Sequence, residues 1–271
     1  MTSLKPIAAQ AFHQLHQGGL LPIANIWDAG TARLVESLGA KALATTSAGV
    51  AWSHGYPDGD LLPTDRLVAT VESIARVVAV PLSVDIEGGY SDDPSAVAGL
   101  VGRLIDAGAV GINIEDGAGS PEVLCAKIER IKKTGAALGV DVFVNARTDV
   151  YLRGLSSAEN RLAETLARAE RYDGAGADGI FVPALIDADE IRQIASGTRL
   201  PLNVLAYPGL PAAAELENLG VRRLSAGSGI TQAAYGRIAM LARDFLARGE
   251  SPPLGQGAMM YPEINGLMNA G

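Results

Sequence analysis

The chain has 271 residues, of which 48% are hydrophobic, and carries a formal net charge of -8 with an isoelectric point near 4.9. This acidic balance argues against a nucleic-acid-binding protein, because phosphate contacts need clustered Lys and Arg. Cys125 is the only cysteine, which excludes an internal disulfide, and no apolar stretch approaches the roughly 20 residues of a membrane helix. We therefore expect a cytoplasmic protein with no nucleic-acid or membrane partner.

Apolar runs alternate along the chain with segments of helical periodicity, which is typical of a parallel α/β fold. His13 and His16 come before the first run, and we predict them to be surface or interface residues. The predicted strands are Leu21–Asn25, Ala42–Thr46, Leu82–Asp85, Val110–Glu115, Val142–Arg147, Gly179–Val182, Pro201–Leu205 and Arg222–Ser225. Eight such units predict a closed (β/α)8 barrel, with an open doubly wound sheet as the alternative.

Helices between the strands are predicted from apolar positions that recur every three to four residues, so that each helix buries one stripe. One such stripe, in the middle of the chain, comprises Val97, Leu100, Val101, Leu104 and Ile105. Another, near its end, comprises Ala234, Ile238, Leu241 and Phe245. Glycine precedes several strands, where its left-handed conformation can end a helix, at positions 39, 108, 176 and 220. A single barrel takes about 250 residues, so we expect one domain over residues 1–250 and a C-terminal arm over residues 251–271.

Carboxylates stand at the ends of neighbouring predicted strands. Asp85 and Glu87 end the third strand, and Glu115 ends the fourth. The carboxyl ends of parallel strands meet at one face, where active sites lie. So many acids in a desolvated site need an offsetting cation, and hard oxygen ligands favour Mg²⁺ or Mn²⁺. For Asp28, Asp116 and Asp149, the alternative is that each caps the helix that follows.

Five motifs, in order and covering nearly the whole chain, resemble the isocitrate lyase and phosphoenolpyruvate mutase superfamily. They are Thr46–Gly49, Gly55–Asp58, Val84–Tyr90, Ile114–Asp116 and Asn145–Asp149. The resemblance implies a barrel of the phosphoenolpyruvate mutase type, magnesium as the cofactor, with manganese as the alternative, and chemistry on 2-oxo or 2-hydroxy acids. It also implies a homo-oligomer, dimer or tetramer, in which the C-terminal arm packs on a neighbouring subunit.

The same resemblance implies roles for individual residues. Asp85 would bind the metal directly and lie against the substrate, while Glu87 and Glu115 would act mainly through metal-bound waters. Glu115 would also serve as the catalytic base, Asp58 would support the metal, and Arg147 would stabilise negative charge on the substrate oxygen. A metal and a guanidinium together polarise such an oxygen.

The substrate side of the site follows from the same resemblance. The segment Ser47, Ala48 and Gly49 would hold a substrate carboxylate through a hydroxyl and backbone N–H groups. Thr45 stands where the superfamily often has an aromatic residue, and we expect it to form that wall of the pocket. Asn203 ends the seventh predicted strand and is a further candidate substrate contact.

The chain departs from the lyases of this superfamily after Glu115. Those enzymes carry a long mobile loop with a Lys-Lys-Cys-Gly-His motif, whereas here Asp116–Pro121 leads almost directly into a helix. Cys125 lies on an apolar stripe of that helix, and we predict it to be a core cysteine. A shorter loop would exclude water from the site less well.

Our leading hypothesis is a magnesium-dependent lyase that makes or breaks a carbon–carbon bond next to a 2-oxo or 2-hydroxy carboxylate, through an enolate-type intermediate. The candidate substrates are di- or tricarboxylates such as 2-methylisocitrate, dimethylmalate or oxaloacetate. Two alternatives remain open. One is phosphorus–carbon chemistry of the phosphonopyruvate hydrolase or mutase type, and the other is a 2-oxo dicarboxylate-binding protein without turnover.

Overall fold

The computed structural model describes residues 4–269, and its strands lie in one parallel sheet. The strands are β1 (Leu21–Ile23), β2 (Asn25–Ile26), β3 (Leu43–Thr45), β4 (Leu82–Asp85), β5 (Gly111–Glu115), β6 (Phe143–Arg147), β7 (Gly179–Val182), β8 (Leu202–Leu205) and β9 (Val221–Ser225). Their order in the sheet is β1-β9-β8-β7-β6-β5-β4-β3-β2. Because only Ala24 separates β1 from β2, the sheet closes on itself. The predicted (β/α)8 barrel is confirmed, and the open doubly wound sheet is wrong.

The first strand of the barrel changes partner partway along its length. Leu21 to Ile23 pair with β9, whereas Asn25 and Ile26 pair with β3. The single strand predicted over Leu21–Asn25 is therefore two short strands that meet at Ala24. This residue marks the seam where the first and last βα units join.

Helices surround the sheet and connect its strands. They are α1 (Leu4–Leu15), α2 (Ala29–Ser37), α3 (Ser47–Ser53), α4 (Thr64–Ala75), α5 (Pro94–Ala107), α6 (Pro121–Ala137), α7 (Arg161–Ala175), α8 (Ala188–Gly197), α9 (Ala213–Asn218), α10 (Gly229–Arg248) and α11 (Tyr261–Asn269). The apolar stripe predicted for α5 is buried along its whole length. Asp93 caps α5 by accepting a hydrogen bond from the Ser95 N–H, and Pro94 starts the helix.

The predicted glycine stops are confirmed. Gly39, Gly108, Gly176 and Gly220 have φ of 94°, 119°, 99° and 96°, in the left-handed region that favours glycine. At Gly108 there is also no room for a side chain, because a Cβ would lie 2.7 Å from the Cβ of Ala75. The chain thus turns tightly from α5 into β5 at a point where only glycine fits.

Helix α1 covers the amino-terminal mouth of the barrel. The His16 ring stacks on Phe143, the first residue of β6, with ring centroids 4.1 Å apart, and Phe12 packs on the same ring. His16 is only 3% exposed. The prediction of a surface or interface position is therefore wrong for His16, because α1 folds back across the strand ends.

Two further burial predictions are also corrected. Cys125 is half-buried, with its Sγ 3.7 Å from the carbonyl oxygen of Arg171, because it faces α7 rather than the barrel. In α10 the predicted stripe is largely uncovered: Ile238 is 60% and Phe245 46% exposed. The periodicity of α10 is real, but residues 4–269 leave that face largely exposed.

The C-terminal arm lies against its own chain. Arg33 on α2 donates a hydrogen bond from Nε to the carbonyl oxygen of Leu267 on α11. Packing of the arm on a neighbouring subunit therefore stays a prediction. Within residues 4–269 no helix is both long and apolar enough to cross a membrane.

Candidate active site

The strand-end residues of β4, β5 and β6 come together at the carboxyl-terminal face of the barrel. Glu115 and Arg147 are directly paired in the register of β5 and β6, and the Arg147 Nη1 lies 2.7 Å from the Glu115 Oε2. Their side chains are 19% and 16% exposed, for Arg147 and Glu115 respectively. The site thus contains an ion pair that is mostly shielded from water yet open on one side.

Asp149 fixes the orientation of Arg147. The Arg147 Nε donates to Asp149 Oδ1 at 2.7 Å and Nη2 donates to Oδ2 at 3.1 Å, a bidentate contact. Although burial disfavours its charge, Glu115 and Asp149 raise the pKa of Arg147, so it stays a cation. A guanidinium has five N–H groups, and three are used here. Two remain to donate to a ligand.

The two buried acids Asp116 and Asp149 hold this part of the face together. Asp116 accepts hydrogen bonds from Arg168 Nη1 at 2.8 Å, from Tyr172 Oη at 2.6 Å and from the backbone N–H of Asp149 at 3.0 Å. Neither acid caps a helix, so that alternative is wrong for both. Asp28 does cap α2, in a capping box with Thr31.

Asp85 lies next to the start of α3. One carboxylate oxygen, Oδ2, is 3.5 Å from the backbone nitrogen of Ser47, and the other accepts a hydrogen bond from the Glu87 N–H at 3.2 Å. The pKa of Asp85 is raised above its usual value, mainly because the group is buried. Arg147 and these hydrogen bonds oppose the increase, and the nearby Asp58 adds to it. Asp85 thus lies in contact with the start of α3 and within electrostatic range of Arg147 and Asp58.

Thr45 has a different role from the predicted one. Its side chain is fully buried, and its Oγ1 accepts a hydrogen bond from the backbone N–H of Asp85 at 2.8 Å. It cannot form a wall of the substrate pocket, because the strand carries it to the buried side. It instead holds the backbone of Asp85 in place.

The segment Ser47, Ala48 and Gly49 forms the first turn of α3, whose N–H groups have no intrahelical acceptor. A Cβ at Gly49 would lie 2.7 Å from the Thr46 Cγ2 and 2.9 Å from the Trp27 Cβ. Only glycine fits there, which lets this turn pack closely against β2 and β3. The turn therefore presents backbone donors beside Asp85.

Glu87 is held in a strained turn after β4, with φ of 53°. Its Oε2 accepts hydrogen bonds from the N–H groups of Gly59, at 2.7 Å, and Asp60, and its Oε1 accepts one from Tyr90 Oη at 2.8 Å. Each carboxylate oxygen has two acceptor positions, so only one position remains free. Glu87 thus mainly anchors the loop that carries Asp58.

Glu115 is a buried acid whose pKa lies far above its usual value. Burial, opposed by Arg147 and reinforced by Asp85, Asp149 and Glu87, raises the pKa of Glu115 to about 8. A group with such a pKa can accept and release a proton near neutral pH. This fits the predicted role of a general base.

Asn203 lies deeper in the barrel than predicted. It is 1% exposed, and its Oδ1 accepts hydrogen bonds from Asn145 Nδ2 at 2.9 Å and Ser225 Oγ at 3.1 Å. Its Nδ2 donates to the carbonyl oxygens of Val204 and Arg223. The predicted substrate contact is therefore wrong, because the amide has no donor or acceptor left to offer.

A cavity of about 770 Å³ opens beside these residues, between the turn after β4 and the connection from β5 to α6. Glu87 and Glu115 line one side. Lys127 and Arg153 also line it, although neither is among the predicted site residues. Lys127 lies on helix α6 and Arg153 lies in the turn after β6. Neither belongs to a motif that would identify it as a site residue.

The acids and Arg147 fit a hard divalent cation. Asp85 and Glu115 offer carboxylate oxygens, which Mg²⁺ and Mn²⁺ prefer, and the excess of acids over cations lacks an internal balance. A second group of potential ligands, His13, Asp141 and Asp178, lies at the other end of the barrel. There the ammonium of Lys132 already bonds both carboxylates, at 2.7 and 2.9 Å.

Known proteins are similar to this chain over most of its length. Residues 12–246 match the family model described as phosphoenolpyruvate phosphomutase. An uncharacterized protein of Mycobacterium tuberculosis is 41% identical over 224 residues, covering 80% of this chain and 82% of that protein. The oxaloacetate decarboxylase of Paraburkholderia xenovorans is 30% identical over 216 residues, covering 76% of this chain and 70% of the enzyme.

The same architecture occurs in a solved structure of phosphonopyruvate hydrolase in complex with oxalate and Mg²⁺. The two chains superpose with a TM-score of 0.84 at 24% identity, covering 96% of this chain and 94% of the hydrolase. At this level of identity the likeness shows a shared fold.

Proposed function

Because the chain belongs to the phosphoenolpyruvate phosphomutase family, within the isocitrate lyase and phosphoenolpyruvate mutase superfamily, we propose that it is a magnesium-dependent carbon–carbon lyase. Its substrate is a 2-oxo or 2-hydroxy carboxylic acid. The observation that carries this proposal is the pair of Arg147 and Glu115, 2.7 Å apart at the carboxyl-terminal face of the barrel, with Asp85 close enough to affect the pKa of both. The likeness to oxaloacetate decarboxylase supports the same class of reaction.

Asp85 would hold the metal directly, and Glu115, Glu87 and Asp58 would support it from one step away. When bound, Mg²⁺ supplies positive charge that offsets the acids and polarises the 2-oxo oxygen of the substrate. The oxalate and Mg²⁺ complex of phosphonopyruvate hydrolase supports this assignment, since oxalate resembles the planar enolate of a 2-oxo acid. Manganese would satisfy the same ligands.

The other residues bind and orient the substrate. The first-turn N–H groups of Ser47, Ala48 and Gly49 would donate to the carboxylate next to the reacting carbon. The two free N–H groups of Arg147 would donate to the oxygen on which negative charge develops, where a preorganised donor contributes most. In cleavage of a 2-hydroxy acid, Glu115 would take the hydroxyl proton.

A proton NMR time course with Mg²⁺ tests the proposal. The panel is oxaloacetate, malate, citramalate, dimethylmalate, 2-methylisocitrate and phosphonopyruvate. We expect carbon–carbon cleavage of at least one carboxylate. EDTA, or the substitution Asp85→Ala, should abolish it, whereas the control Asp65→Ala, at an acid 86% exposed on α4, should leave the rate within about twofold.

The other outcomes separate the alternatives. Undiminished turnover in EDTA would contradict the mechanism. Phosphate release from phosphonopyruvate alone would replace it with phosphorus–carbon chemistry. Tight Mg²⁺-dependent binding of a 2-oxo dicarboxylate with no product from the panel would indicate a binding protein.

We also propose that the protein is a homo-oligomer in which a second copy covers the outer face of α10. This face comprises Ile238, Phe245 and Leu246, which are 60%, 46% and 85% exposed. Exposing three large apolar side chains on one face to water is unfavourable, and a partner helix would bury them. Whether the assembly is a dimer or a tetramer depends on how many such faces pair.

A further inference from the structure

Two arginines share a single oxygen of Asp149. Oδ2 accepts a hydrogen bond from Arg147 Nη2 at 3.1 Å and another from Arg153 Nε at 2.8 Å. Because both nitrogens bond the same oxygen at these distances, the Arg147 Nη2 and the Arg153 Nε lie close together. Asp149 is fully buried, so it positions both arginines and is not itself open to a ligand.

Arg153 shares its carboxylate partner with a second arginine. Among residues 4–269, Asp149 is the only acid in an ion pair with Arg153, and it also pairs with Arg147, which has Glu115 as a second partner. One carboxylate is thus divided between two guanidinium groups. The N–H groups of Arg153 that Asp149 does not use suit a further carboxylate, to which a guanidinium makes charge-assisted hydrogen bonds.

Arg153 also has unused donors, and it lines a space large enough for a ligand. Its Nε is bonded to Asp149, but its Nη1 and Nη2 make no hydrogen bond to any of residues 4–269. The side chain is 51% exposed and lines the 770 Å³ cavity together with Glu115. Lys127, the other cation there, is 7% exposed and donates to the carbonyl oxygen of Gly88 at 2.8 Å.

The backbone around Arg153 is fixed. Its N–H donates to the carbonyl oxygen of Asp149 at 2.8 Å, and the N–H of Leu155 donates to that of Val150 at 3.2 Å. This turn follows β6 directly, so it carries Arg153 at a set distance from Arg147. Binding through a side chain that is already positioned loses little conformational entropy.

We propose that Arg153 binds the distal carboxylate of a short dicarboxylate substrate whose 2-oxo or 2-hydroxy end lies at Arg147. The inference rests on the proposed function and narrows it, since a monocarboxylate would leave Arg153 unused. The closeness of the two guanidinium groups favours a four-carbon acid such as malate or oxaloacetate over a longer one.

Calorimetric binding of two probes in the presence of Mg²⁺ tests the proposal. Oxalate reaches only the Arg147 end, whereas malate adds a distal carboxylate. We expect Arg153→Gln to weaken malate binding about 10- to 100-fold and to leave oxalate binding within about twofold, because only malate loses a charge-assisted hydrogen bond. Arg153→Lys should recover part of the loss. The matched control Arg192→Gln, on α8 and 58% exposed, should bind both probes as the wild type does.

The outcomes separate this proposal from the lyase assignment. Equal weakening of both probes by Arg153→Gln, or no weakening of malate, overturns the role of Arg153 even if the wild type cleaves oxaloacetate. Selective weakening of malate supports Arg153 even if no substrate in the panel is cleaved, in which case the lyase assignment falls alone. A wild type that binds neither probe contradicts both.

Discussion

Two basic side chains, Arg223 and His16, lie inside the barrel without a carboxylate bonded to either. The Arg223 Nη1 and Nη2 and the His16 Nε2 have no hydrogen-bond partner among the described residues. Burial lowers the pKa of Arg223 to about 10, and it also lowers the pKa of His16 to about 3, helped by the charge of Arg223. His16 is therefore neutral in the folded protein at pH values well above 3.

Because His16 is neutral in the folded protein, we expect the free energy of unfolding to depend on pH. Between pH 6.5 and about 3, the unfolded chain binds a proton at His16 that the folded chain excludes, so the free energy of unfolding falls as the pH falls through this window. At pH 4.5 the loss from this group is about 2–3 kcal/mol. We expect His16→Phe, which keeps a ring on Phe143, to lose less stability than the wild type between pH 7.5 and 4.5 in thermal unfolding. Parallel curves for the two proteins would contradict this.

Single residues were predictable where their role follows from their place on a strand. Asp85, Glu115 and Arg147 end neighbouring strands, and the carboxyl-terminal ends meet whatever the loops do. The predictions for Thr45 and Asn203 are wrong because the sequence does not reveal the hydrogen bonds made across the barrel, which occupy their polar atoms. Arg153 was missed because its partner, Asp149, looked like a helix cap.

At the level of elements, buried runs and glycine stops located the strands and most helices. The apolar stripe of α5 is covered by its own chain, and that of α10 is not. Periodicity shows that a helix has an apolar face, but it does not show what packs against that face. The split of the first strand was equally invisible, since it depends on where β9 and β3 each stop pairing.

Two glycines of one βα unit should respond oppositely to alanine. Gly99 is exposed in the interior of α5 with open space around its Cβ position, so Gly99→Ala should raise the free energy of unfolding by up to about 1 kcal/mol. Gly108→Ala should lower it by more than that, because the added methyl meets Ala75 at a φ of 119°. Urea unfolding measures both, and equal shifts of the same sign would contradict the assignment of Gly108.

For the whole molecule, the distribution of exposed apolar side chains is uneven. The barrel buries its helices α5 and α6 against the sheet, whereas α10 and α11 contain no buried residue apart from Thr231 within the part of the chain that the structure describes. A single chain therefore leaves apolar side chains of its two carboxyl-terminal helices exposed to water. Assembly with a second copy would complete it.

Light scattering tests the proposed assembly. We expect the wild type to have the mass of a dimer or tetramer, and Ile238→Asp combined with Leu246→Asp to reduce it, since each buries a charge in the proposed interface. Gln232→Asp, at an exposed polar position of the same helix, is the matched control and should keep the wild-type mass. A monomeric wild type would contradict the proposal.

The connection from β5 to α6 spans only Asp116 to Ser120. In the proposed reaction, the planar enolate would lie beneath this short connection and take up its new proton from the surrounding water. An acid fixed on one side of a planar carbon delivers its proton to that face alone, whereas water can reach the carbon from whichever face is open. The face of the carbon that receives the proton would therefore be decided by the shape of the cavity mouth and by no single residue.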